Sequence, residues 1–185
     1  MTPTQPLAWG ARVSAQFRAR VYALCDNLDW TEDHASWLMA VMAFETGRRF
    51  RSDTRNPASS ATGLIQFMAA TARGMGTTTT KLAAMSEVEQ LGWVERYFRP
   101  NARHIRSLDD LYMAVLWPSG IGQALEYVLW KTGTRAYAVN RGLDSNRDGR
   151  VSKREAASKV REQLGAGYHS GNAWIPQKKT PEPRR

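Results

Sequence analysis

Trp37-Leu38-Met39-Ala40-Val41-Met42-Ala43-Phe44-Glu45-Thr46-Gly47 decides the architecture of this 185-residue chain. Asp29 or Thr31 can open a helix ahead of it, and Gly47 supplies the stop. The run is apolar around nearly its whole circumference, which predicts a helix inside the core rather than on the surface. A central helix needs others around it, and the flanking sequence provides them. Val13, Phe17, Val21 and Leu24 recur every three or four residues, predicting an amphipathic helix over 11–28. Ser86 and Glu89 form a capping box for a helix over 86–99 that Pro100 ends. Ser107 with Asp110 opens another through Leu111, Met113, Val115 and Leu116, stopped by Pro118. Residues 63–73 read as a short helix ending at Gly74 or Gly76, and 125–131 as a further one. The polar stretch 48–62 reads as a long loop or small ribbon. No run of alternating β-branched residues occurs, so the expected fold class is all-α.

This length suits one domain, expected over 1–168 and followed by a basic, solvated tail over 169–185. A single cysteine, Cys25, rules out an intrachain disulfide and a thiolate metal cluster. No run of about 20 apolar residues is present, so no membrane span is expected. The formal charge is +9, and 20 of the 26 basic residues are arginine, spread along the chain. That predicts attraction to a polyanion. Without a helix-turn-helix or RNA-binding motif beside the charge, no specific nucleic-acid recognition is expected.

Glu45 places a carboxyl group in the last turn of the buried helix. Desolvation raises its pKa and the negative end of the helix dipole raises it further, which is what a general acid needs. The competing role is an ion pair with Arg48 or Arg49 at the helix end, with Arg51 and Arg55 also near in sequence. Between Glu45 and Gln66 the only other carboxylate is Asp53, by loop chemistry more a turn residue than a base.

Asp144-Ser145-Asn146-Arg147-Asp148-Gly149-Arg150-Val151-Ser152-Lys153-Arg154-Glu155 satisfies every specified position of the EF-hand loop. Side chains of Asp144, Asn146 and Asp148, the Arg150 carbonyl, a water through Ser152 and both oxygens of Glu155 would hold calcium, with Gly149 making the turn. Only one hand is visible, so a structural rather than a sensing role is expected. Arg147, Arg150, Lys153 and Arg154 bring positive charge to the ion and weaken binding. The plainer alternative is a turn followed by a helix that Ser152 and Glu155 cap.

Glu45-Thr46-Gly47, followed by Asn56-Pro57-Ala58-Ser59-Ser60-Ala61-Thr62-Gly63-Leu64-Ile65-Gln66-Phe67-Met68, resembles the catalytic segment of the soluble lytic transglycosylase and goose-type lysozyme superfamily. The resemblance covers about residues 30–120 and implies a compact lysozyme-like helical domain. It implies cleavage of the β-1,4 bond between N-acetylmuramic acid and N-acetylglucosamine in peptidoglycan. In that family the glutamate protonates the glycosidic oxygen, a role that falls on Glu45. A loop serine, here Ser59 or Ser60, orients the N-acetyl group, and Gln66 and Met68 line the glycan groove. The family's Ala-Tyr-Asn-Ala-Gly motif is replaced by Ala114-Val115-Leu116-Trp117-Pro118-Ser119-Gly120, leaving Tyr112 or Trp117 as stand-ins for its tyrosine.

The Trp-Pro pattern is similar to phage-encoded relatives. It implies an endolysin or virion-associated enzyme, expected as a monomer made in the host cytoplasm without a signal peptide. Peptidoglycan is the expected partner, reached in the periplasm or from outside, with the anionic outer-membrane surface as a second attraction for the positive charge. Lytic transglycosylases use one glutamate as acid and then base, while the sugar's own 6-hydroxyl closes an anhydro ring. A hydrolysing muramidase needs a second carboxylate, for which Asp53 is the candidate. A third reading is a non-catalytic wall-binding or virion structural protein.

Overall fold

The computed structural model describes residues 1–177. Helix α1 (Ala15–Asn27) is capped by Ser14, whose hydroxyl accepts from the Phe17 amide. Helix α2 (Glu32–Glu45) follows, opened by Thr31 in reciprocal capping with His34. Every residue from Leu38 to Ala43 is fully buried, as the all-round apolar composition requires. Short helices α3 (Ala69–Gly74) and α4 (Thr79–Ala83) lead to α5 (Glu87–Phe98), which has the Ser86–Glu89 capping box, and to α6 (Leu108–Leu116), capped by Ser107. Strand β1 (Val128–Lys131), helix α7 (Arg135–Asn140), strand β2 (Arg150–Ser152) and helices α8 (Lys153–Ala156) and α9 (Ser158–Gly167) complete the order. Helix α2 is central, packed by α1, α6 and α9, while α5 lies along α1. Among the described residues no helix is long and apolar enough to cross a membrane.

The chain is predominantly helical, but three expectations need correction. Residues 125–131 are not a helix: a turn leads into β1, which pairs antiparallel with β2 (Trp130 opposite Val151, Lys131 opposite Arg150). Val128 and Trp130 suit a pleated surface, and pairing with a strand twenty residues away outweighs weak local helix propensity. Residues 63–67 form a turn, and helix begins only at Ala69, because Gly63 (φ +86°) and Gln66 (φ +54°) adopt left-handed backbone. The small ribbon expected in 48–62 is present as isolated bridges joining Arg55 to Thr62 and Thr62 to Phe67. The domain boundary at 168 also moves. Leu7 and Trp174 exchange backbone hydrogen bonds of 2.9 and 3.0 Å, and Arg18 stacks over the Trp174 ring, so 169–177 is docked on the first segment of the chain. The remainder of the expected tail, 178–185, lies outside the described residues.

Candidate active site

Glu45 is the last residue of α2, where the apolar helix delivers its side chain to the edge of the core. It is half-buried. Among the described residues none donates a hydrogen bond to its carboxylate or pairs with it. Burial alone pushes its pKa from 4.5 to about 7. The arginines that could have neutralised it are engaged elsewhere. Arg48 bonds Gln163 and stacks over Trp9, Arg49 donates to the Thr46 carbonyl, and Arg51 holds Asp53. The ion-pair alternative for Glu45 is therefore not what this structure contains. Cavities of about 370 to 990 Å³ are lined by other residues, and the Glu45 side chain is only partly accessible to solvent.

Two tyrosines sense the carboxyl's charge. Burial and, secondarily, the Glu45 charge push both the Tyr97 and Tyr112 phenols upward, which puts both within electrostatic reach of Glu45. Tyr112, on α6, is buried and packs edge-on against Phe44 at 5.6 Å. Its hydroxyl has no hydrogen-bond partner among the described residues. Tyr97, on α5, donates to the Ala114 carbonyl at 2.6 Å and stands edge-on to Phe67. Of the two stand-ins suggested by sequence, Tyr112 is the one within electrostatic reach of Glu45, packed on its neighbour Phe44. Tyr97 went unnoticed; its only signal was an aromatic on the apolar face of α5.

The ribbon presents the remaining candidates with unequal freedom. The Gln66 side-chain amide donates to the carbonyls of Thr54 and Gly63, so its nitrogen fastens the ribbon. Its left-handed backbone is a strained conformation for a residue with a side chain, of the kind that persists where surroundings enforce it. Ser59 and Ser60 are both exposed, with oxygens accepting from the amides of Ala61 and Ala69. Met68 is 48 % exposed at the start of α3. Beneath them lies Gln90 of α5, wholly buried. Its oxygen accepts from the Leu64 amide at 2.7 Å, and its nitrogen donates to the carbonyls of Ser52 and Leu82. Gly63 passes so close that a Cβ there would fall 2.3 Å from the Gln90 amide oxygen. Sequence gave no hint of this support, because a glutamine in an amphipathic helix reads as solvated.

Asp53 is exposed and gripped by two of the guanidinium nitrogens of Arg51, Nη2 at 2.6 Å and Nε at 2.8 Å. That hydrogen-bonded partner holds its pKa below the usual range. It faces a cavity of about 450 Å³ together with Arg12, Phe17 and Phe50, and Glu45 is not part of that lining.

In the segment 144–155 the acidic oxygens turn toward the loop's own donors. Asp144 accepts from the amides of Asp148 and Gly149 and from the Tyr137 hydroxyl. Asn146 accepts from Asp148, and Asp148 from Arg150. Glu155 reaches back to Ser145 and Asn146 while also capping α8 with Ser152. Gly149 makes the turn at φ +83°. Among the described residues no three His, Cys, Asp or Glu side chains gather as a ready metal site. The expected repulsion from Lys153 needs correcting: its ammonium is buried and turned away, bonded to Asp110 at 2.5 Å and to the Gln123 carbonyl. Asp110 also accepts from the amides of Gly122 and Arg106, and these donors outweigh burial to hold its pKa low.

Searches against protein-family models and curated proteins return no match for this chain.

Proposed function

We propose that the chain is a peptidoglycan-cleaving glycosidase, phage-encoded, acting on the β-1,4 bond between N-acetylmuramic acid and N-acetylglucosamine with Glu45 as its single catalytic carboxyl. The observation that carries this reading is a half-buried carboxyl at the end of α2 with its pKa pushed up to about 7 and, among the described residues, no cationic partner. Such a group is protonated about half the time at neutral pH and gains basicity once it has given up its proton. In the first step the Glu45 proton passes to the glycosidic oxygen as the C1–O bond breaks, leaving an oxocarbenium-like sugar and a carboxylate. In the second, that carboxylate takes the proton of the sugar's 6-hydroxyl while its oxygen bonds C1, closing a 1,6-anhydro ring. Tyr112, whose hydroxyl has no hydrogen-bond partner among the described residues, is suited to bond the carboxyl or the sugar, and the exposed Ser59, Ser60 and Met68 to border the glycan. The lysozyme-like domain assignment belongs to the same proposal.

Hydrolysis through Asp53 is disfavoured because Arg51 already occupies both its oxygens and because it faces a different cavity. For the segment 144–155 we propose a structural calcium site held by Asp144, Asn146, Asp148, the Arg150 carbonyl and Glu155. A cation there would supply only cross-linking charge. In support, the side chains of Asp144, Asn146 and Asp148 all accept from amides of one turn around Gly149, and Glu155 reaches back to the Ser145 and Asn146 amides at its start.

Purified peptidoglycan treated with the wild type should clear and release muropeptides one water lighter than reducing-end products. Glu45→Gln should bind the wall without clearing it. Clearing by Glu45→Gln would overturn the assignment, and reducing ends would replace the transglycosylase outcome with hydrolysis. A wild type that binds but never clears would leave the structural wall-binding reading.

A further inference from the structure

Beyond Ala114, whose carbonyl Tyr97 holds, α6 ends and the chain turns through Trp117 and Pro118. Trp117 is 38 % exposed, and its ring stands edge-on to Trp130 of β1, with centroids 5.6 Å apart at 77°. Trp130 is buried, and its indole N–H has no hydrogen-bond partner among the described residues. Tyr127 and Val128, leading into β1, are exposed beside it. The backbone fixes this arrangement. The Trp117 amide donates to the Met113 carbonyl at 2.8 Å, and Gly120 sits so close over α6 that a Cβ would meet the Met113 sulfur at 2.8 Å.

We propose that Trp117 is a stacking platform for a pyranose ring of the β-1,4-linked N-acetylhexosamine chain that crosses Glu45, with Trp130 as the buttress that sets its tilt. The proposal rests on the glycosidase reading of Glu45. Three features favour a sugar as occupant. Trp117 follows Ala114 by three positions, so the patch begins roughly 5 Å along the helix axis from the carbonyl that Tyr97 holds. A braced indole offers a flat apolar face at little entropic cost, which suits the C–H face of a pyranose. Finally, a buried Trp or Tyr covers only about 150–250 Å². The fraction open here is therefore on the order of 200 Å², enough for a sugar ring or two but far below the ~800 Å² per partner of a stable protein interface.

The test uses Glu45→Gln, which should hold glycan without turning it over, and measures binding of tri-N-acetylchitotriose by tryptophan fluorescence and of insoluble peptidoglycan by co-sedimentation. Adding Trp117→Ala should weaken both by about tenfold, whereas Trp117→Phe, which keeps an aromatic face, should stay within about threefold. In otherwise wild-type protein, Trp117→Ala should raise KM far more than it lowers kcat. Unchanged binding by a folded Trp117→Ala variant, or equal losses for alanine and phenylalanine, would overturn the platform while leaving Glu45 untouched. Tryptophan-dependent binding in a protein whose wild type never clears peptidoglycan would keep the platform and remove the glycosidase. Absence of glycan binding by Glu45→Gln to either probe would overturn the platform outright.

Discussion

Replacing Glu45 by Gln should change stability in a pH-dependent way, and the sign is fixed by the direction of the pKa shift. In the unfolded chain the carboxyl ionises near 4.5, in the folded protein near 7. Below 4.5 it is neutral in both states and costs nothing. Between 4.5 and 7 only the unfolded chain releases the proton, so stability falls as pH rises and levels off above 7. At about 1.4 kcal/mol per pKa unit the full penalty is about 3 kcal/mol, and because Glu45 is partly open to solvent screening about 2 kcal/mol is the realistic size. Glutamine, nearly isosteric and neutral, escapes it. Urea denaturation should therefore find Glu45→Gln and wild type equally stable at pH 4, with the variant ahead by about 2 kcal/mol at pH 8, roughly 4–8 °C in Tm for a chain this long. A difference that stays constant across this range, or a variant that is less stable at pH 8, would refute the burial argument. Activity on peptidoglycan should decline with a midpoint near pH 7, where the acid loses its proton.

Three further outcomes are expected. Gln90→Leu leaves the Leu64 amide and the Ser52 carbonyl unpaired and removes one of the bonds to the Leu82 carbonyl; it should cost about 3 kcal/mol in urea denaturation and lower activity through the displaced ribbon. Lys153→Met strands the buried Asp110 charge and should cost about 3–5 kcal/mol, and adding Asp110→Leu should recover much of the loss; an additive double variant would refute the pairing. Calcium at about a hundredfold its dissociation constant should raise stability by about 2.7 kcal/mol and chelator should reverse this; a flat thermal profile, or an identical response from Asp144→Asn, defeats the cation site.

The helical core was readable because its signals are local. The apolar run before Glu45, the Ser86–Glu89 box and the Ser107 cap each act within a few residues, and each helix starts where its cap predicts. The fate of 125–131 was not readable, since Trp130 becomes a strand only through its partner Val151. The same holds at the site. The partial burial of Glu45 was legible because it closes an apolar helix, whereas Tyr97, Gln90 and the Lys153–Asp110 pair act through neighbours eight to forty-three residues distant. The arginines after Glu45 show the limit most directly: sequence placed four cations near Glu45, and only the fold could turn three of them, Arg48, Arg49 and Arg51, to Gln163, Thr46 and Asp53.

Because α9 covers one flank of α2, the central helix cannot finish packing while the chain is being made. A ribosome must deliver Val160 and the residues around it before Leu38 to Ala43 are fully shielded. Premature termination anywhere upstream of 158 would leave a greasy surface open to chaperones and proteases, so the cell would hold the complete molecule or almost none of it.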